Sequence, residues 1–80
     1  MEAELLHRQA LEITREALGE AHLNYALGLG NLGRLLGETD RVAEGRGMLE
    51  QALAIFRAAL PADHPHIAIT QGHLDALPDG

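Results

Sequence analysis

The 80-residue chain contains no cysteine and no tryptophan, and only one tyrosine and one phenylalanine. Without cysteine there are no disulfides and no thiolate metal sites, and the redox compartment leaves no trace in the sequence. Serine is missing as well, so the two commonest side-chain nucleophiles are both absent. Basic residues are few: six Lys plus Arg stand against twelve Asp plus Glu, a net charge of −6. That balance argues against nucleic acid and anionic membrane, which need a basic footprint, and is compatible with a basic peptide or protein partner. No apolar run approaches a membrane span. The opening "EAELLHRQ" lacks the basic start and apolar core of a signal peptide. The composition therefore points to one small soluble domain, cytoplasmic by default, or to a piece of a longer protein. A chain of this size buries a modest core and needs good packing or a partner.

What the sequence does contain is a repeat. Shifted by 42 residues, "QALEITREAL" (Gln9 to Leu18) lies over "QALAIFRAAL" (Gln51 to Leu60), with seven of ten positions identical. The register continues without a gap through His22 over His64, Ala26 over Ala68, Gly30 over Gly72, Leu32 over Leu74 and Leu35 over Leu77. The 38 overlapping pairs contain 13 identities, against roughly two or three by chance, the signature of stacked structural repeats.

Each unit reads as two helices. Gly45, Leu49, Ala52, Phe56 and Ala59 step by four, three, four and three, one face of an amphipathic helix. Ala3, Leu6, Ala10, Ile13 and Ala17 form a similar face near the start. "GETD" (Gly37 to Asp40) separates the middle two helices, with Gly37 suited to a helix end and Thr39 or Asp40 to an N-cap. "PADHP" is the next break, with Pro65 suited to a first helical turn. The last helix is expected from about Pro65 to Leu77, stopping at "PDG". The predicted fold is all-α: four helices in an antiparallel helix-turn-helix repeat array. Residues 1–18 make a second-type helix, 22–60 a complete helix pair, and 64–77 a first-type helix.

"GLGNLG" (Gly28 to Gly33) matches G-x-G-x-x-G, the dinucleotide-binding turn. That mechanism requires a strand before the glycines and a helix opening at them. "HLNYAL" does not read as a strand, and the repeat places Thr70, Gly72 and Asp75 at the three glycine positions. The segment is helix. Its glycines each cost up to about 1 kcal/mol relative to Ala, so neighbouring helices must hold it. The glycines either admit a closely packed helix or leave a shallow surface for a ligand.

Leu32-Gly33, Leu36, the turn at Asp40-Arg41, Val42, and the small residues Gly45 and Ala52 follow the motif order of a family. The chain resembles the tetratricopeptide repeat (TPR) family over essentially its whole length. Its 42-residue period and "ADHPHIA" look like the longer repeats of kinesin light chains and of bacterial regulatory proteins. Departures run towards smaller side chains, with Leu29 and Val42 where the family has aromatics and Gly45 where it has Ala, which implies a weaker core. The resemblance implies a protein–protein interaction module, a scaffold or adaptor, whose first helices line a groove for a peptide or helix. Carried over by position, that groove comprises Leu27, Gly30, Asn31, Arg34 and Glu38, then Ile69, Gly72, His73 and Ala76. Asn31 is the residue placed to bond a ligand backbone.

The alternative is self-assembly. The chain holds one complete helix pair between two unmatched halves, whose apolar Leu5, Leu6, Ile67, Ile69 and Leu74 are candidates for exposure. End-to-end stacking, or exchange of helices into a domain-swapped homodimer, would cover them. Histidines 7, 22, 64, 66 and 73 invite a metal reading, and His66 and His73 can share a helix face. No H-E-x-x-H or comparable ligand set accompanies them. His22 and His64 occupy the turn positions where capping is the ordinary role. The acids are scattered along polar faces, Glu12 beside Arg15 being an example of a helical ion pair. No catalytic constellation, cofactor or metal is expected.

Overall fold

The computed structural model describes residues 2–19 and 22–78 and forms four helices: α1 (Glu2–Leu18), α2 (Leu23–Gly37), α3 (Val42–Ala59) and α4 (Pro65–Asp75). Among the described residues there is no strand. Glu20 and Ala21 of the first turn, the final Asp79-Gly80 of "PDG" and the side chain of Ala3 lie outside what is described.

Consecutive helices pack on one another, and α2 with α3 shares the largest interface. The glycines set that crossing. A Cβ built on Gly33 would lie 2.9 Å from the Gly45 carbonyl oxygen, and one on Gly45 would lie 2.6 Å from the Gly33 carbonyl oxygen. The two backbones therefore touch, with Leu36 and Leu49 beside the contact, and these two and the adjacent Leu32 are fully buried. A second group, Tyr25, Ala26, Leu29, Ala52, Leu53, Phe56 and Ile67, ties α4 to the same core. α1 docks on α2 through Leu11, whose Cδ1 lies 2.9 Å from where a Gly28 Cβ would be.

The helix ends show which local chemistry prevails. The Nδ1 atoms of His22 and His64 accept hydrogen bonds from the Asn24 and His66 backbone N–H groups at 3.0 and 3.1 Å, capping α2 and α4. Each thereby satisfies an amide with no partner inside its helix. Pro65 starts α4 as expected. At α3 the expectation of Thr39 or Asp40 as N-cap is corrected: Arg41 is the cap residue and its side chain makes no cap bond. Thr39 instead closes the turn, its hydroxyl donating to the Leu36 carbonyl and accepting from the Arg41 N–H. α4 ends at Asp75 rather than Leu77, because the chain tightens through a Leu77 N–H bond to the Leu74 carbonyl before Pro78.

Two expected faces also shift. On α3, Gly45, Leu49, Ala52 and Phe56 are buried with Leu53, but Ala59 is exposed. α2 begins at Leu23, which already packs in the cluster around Phe56, so no turn of it reaches Ala59. On α1 the correction is larger. Leu6, Ala10, Ile13 and Ala17 are exposed, and the helix docks through Glu4, Arg8 and Leu11 instead. Periodicity identified an apolar face there, but none of the described residues covers it. Of the apolar end residues, Leu5, Leu6 and Ile69 are exposed, whereas Ile67 is buried and Leu74 half-buried.

A closed ring of alternating charge fixes α1 to α3. Arg8 bonds both Glu4 and Glu44, and Arg41 bonds the same two carboxylates. The Arg8 guanidinium holds the Glu4 and Glu44 carboxyls below their ordinary range, and Arg41 adds to the effect.

Candidate binding groove between α2 and α4

α2 and α4 both pack on α3, and residues of the two line two concavities in the seam between them. The first, of about 70 Å³, has a floor of buried Ala26, Phe56 and Thr70 and walls of Leu27, Gly30, Asn31, His66, Ile69 and His73. The second, of about 230 Å³, is lined by Arg34, Gly37, Glu38, His73, Ala76 and Leu77. His73 borders both, so the two are neighbours along α2 from Leu27 to Glu38. At 1.5 Å per residue that run covers ~16 Å, the length of about five extended residues or three helical turns.

The repeat explains the pairing of the walls. Leu27 and Ile69 are 42 positions apart, as are Asn31 and His73, so equivalent faces of two first-type helices meet at the seam. Leu27 and Ile69 present apolar surface, 39% and 56% exposed. Gly30 has nothing within 4 Å of where a Cβ would project, so the first concavity is shallow and wide there. Gly28 and Gly33 admit neighbouring helices, and Gly30 borders open space.

Polar groups are few along this strip. Asn31 is exposed, and the Arg34 guanidinium pairs with the Glu38 carboxylate one turn on at 3.4 Å. The Thr70 hydroxyl donates to the His66 carbonyl at 2.7 Å and is satisfied within α4. The His66 ring packs between Phe56 and His64, with centroids 5.3 and 4.7 Å away. Of the carried-over positions, Leu27, Gly30, Asn31, Ile69 and His73 share the first concavity, and Arg34, Glu38 and Ala76 the second. Gly72 is exposed and lines neither. Sequence reasoning missed Phe56, Thr70 and His66. His66 and His73, both on α4, line the first concavity, but among the described residues no group of three or more His, Cys, Asp or Glu forms a metal-binding cluster.

An antiparallel array of paired helices, crossing at small residues and lining a shallow seam with its first-type helices, is the architecture of an α-helical repeat protein. A family model of the tetratricopeptide repeat matches residues 1–58. The chain belongs to the tetratricopeptide repeat family. The match spans α1 to most of α3, and α4 relates to it through the internal 42-residue repeat. No curated protein matches the chain in sequence. Tetratricopeptide repeats are protein–protein interaction modules, typically non-catalytic scaffolds. No helix among the described residues is long and apolar enough to cross a membrane.

Proposed function

We propose that the seam between α2 and α4 binds a short peptide or helix of a partner protein, making this chain a scaffold or adaptor module. The observation that carries the reading is the exposure of Leu27 and Ile69 across a concavity edged by Asn31 and His73. An apolar side chain of the ligand enters above Ala26 and Phe56, and Gly30 leaves room for it. The Asn31 carboxamide has both a donor and an acceptor and reaches the ligand backbone. With Arg34 already paired to Glu38, the strip offers little fixed charge, so apolar contact supplies the affinity and hydrogen bonds the register.

The test is selection of 12-residue peptides from a randomised displayed library on the wild-type chain, with binding then measured by calorimetry. Peptides specific to the groove lose about two- to tenfold in affinity on Asn31→Ala, the value of one hydrogen bond, and bind undetectably to Leu27→Glu/Ile69→Glu. Selected peptides that bind the double variant as well as the wild type would refute the site.

A second reading, self-assembly through the terminal helices, is favoured by one specific observation. Of the five large hydrophobic side chains exposed among the described residues, Leu5, Leu6 and Ile13 lie on α1 and Ile69 on α4.

A further inference from the structure

The exposed stripe on α1 repeats at Leu6, Ala10, Ile13 and Ala17, steps of four, three and four, on the side of the helix away from Leu11 and its contact with α2. The obvious occupant is α4 of another copy, packed as α2 packs on α3, which would extend the array end to end. The residues at that would-be interface reject it. By the 42-residue register, α1 has His7 and Thr14 where α3 buries Leu49 and Phe56, and α4 has Gln71 and Asp75 where α2 has Leu29 and Gly33. Gly33 has no space even for a Cβ beside the Gly45 carbonyl, so a carboxylate at the equivalent place keeps the backbones apart. Gln71 and Asp75 are moreover engaged with each other at 3.0 Å, and Arg57 donates to Gln71.

The stripe is instead complementary to itself. In an antiparallel pair of α1 helices related by a two-fold axis between Leu11 and Glu12, Leu6 lies opposite Ala17 of the second copy and Ala10 opposite Ile13. Every layer then sets one large side chain against one small one, the alternation that lets two helices approach to about 8 Å and interdigitate. The flanks agree. In this arrangement each flank meets its own symmetry copy, so His7 faces Thr14 and Gln9 faces Glu16, and like charges are not opposed. The contact is isologous and closes at two copies. We propose that this chain forms a two-fold dimer through antiparallel pairing of α1, with the Leu6–Ala10–Ile13–Ala17 stripe as its core. This rests on the self-assembly reading and gives it a geometry. A pair of 17-residue helices buries less than about 1,200 Å² in total, the range of weak and transient complexes.

Sedimentation equilibrium of the 80-residue chain from about 10 µM to 1 mM is the first arm, with circular dichroism as the check on folding. The wild type shows a monomer–dimer equilibrium, and Ile13→Glu weakens it at least about 30-fold with unchanged helicity, because the side chain is exposed in the monomer. The second arm uses the absence of cysteine. Ala10→Cys and Ile13→Cys chains, mixed and oxidised, yield the mixed disulfide in preference to either homodimer. A wild type that stays monomeric to 1 mM overturns the dimer and self-assembly together. A dimer that survives Ile13→Glu overturns α1 pairing while leaving self-assembly intact. Preferential homodisulfides would mean parallel pairing and overturn the two-fold geometry.

Discussion

Gly30 and Gly33 sit one turn apart on the same helix, yet the same substitution has opposite consequences at the two. In either place Gly→Ala gains about 1 kcal/mol of helix propensity, mostly by restricting the unfolded chain. At Gly30 nothing lies within 4 Å of the new Cβ, so the gain is kept. At Gly33 the Cβ arrives 2.9 Å from the Gly45 carbonyl oxygen and 3.2 Å from the Leu49 nitrogen. Both are backbone atoms inside helix α3, and neither can rotate away. Overpacking of this kind costs about 3 kcal/mol when the helices must move apart, leaving Gly33→Ala about 2 kcal/mol less stable than wild type. A chain of this length has ~4–12 kcal/mol of stability in all, and 1 kcal/mol moves the midpoint by about 4–8 °C. Thermal melts by circular dichroism at fixed concentration should therefore place Gly30→Ala about 4–8 °C above wild type and Gly33→Ala about 8–16 °C below it. A Gly33→Ala chain that melts at or above the wild type would refute the claim that backbone contact sets the α2–α3 crossing.

Other outcomes follow from the caps and the charge ring. His22→Ala and His64→Ala each leave a helix-terminal N–H without its acceptor and lose about 1 kcal/mol in urea titration, whereas Asp at either place retains the cap; equal losses for Ala and Asp would refute capping. Glu4 and Glu44 have carboxyls held below the ordinary value of 4.5, first by the hydrogen bond from Arg8. A folded-state pKa below the unfolded one gives a contribution complete above about pH 4.5 and lost as pH falls through the folded value. Melting midpoints measured from pH 7 to pH 3 should fall below about pH 4.5, and less so in Glu4→Gln/Glu44→Gln; parallel curves would dismiss the ring as a source of acid sensitivity.

The fold was legible because the chain states it twice. Helix α3 has a near copy in α1, and the same 42-residue register aligns α2 with α4, so the positions of Leu27 and Ile69, or Asn31 and His73, on equivalent faces follow from sequence alone. The His caps were legible for the same reason, since His22 and His64 hold one place in the repeat. The groove floor was not. Phe56 was readable as core, but its edge shows in the seam because α4 stands at a particular spacing from α2, and helical periodicity contains no spacing. The charge ring was half legible. Glu4 with Arg8 and Arg41 with Glu44 are local pairs, but 36 or 37 residues separate the partners that link them, and only the docked α1 brings the pairs together. The α1 face marks a different limit: spacing reveals that a stripe is apolar, and says nothing about which helix exists to cover it.

The groove and the stripe occupy different helices, α2 with α4 for one and α1 for the other, and α1 meets α2 at Gly28, which lines neither concavity. Pairing through α1 therefore leaves both grooves of a dimer open, and the two surfaces should mutate independently: Leu27→Glu spares the dimer, and Ile13→Glu spares the groove. Their combination has a consequence that neither has alone. A dimer presents two identical grooves, so a ligand carrying two copies of a groove-binding peptide converts its second binding event into an intramolecular one. With a flexible linker long enough to span the grooves, affinity rises by about 10²-fold or more over the single peptide without any new contact. Calorimetry with single and tandem peptides, at concentrations where the wild type is dimeric, measures that ratio directly. In Ile13→Glu the tandem gain should fall to the twofold expected from counting sites. A tandem gain undiminished in that variant would mean that the two grooves are brought together by something other than the α1 stripe.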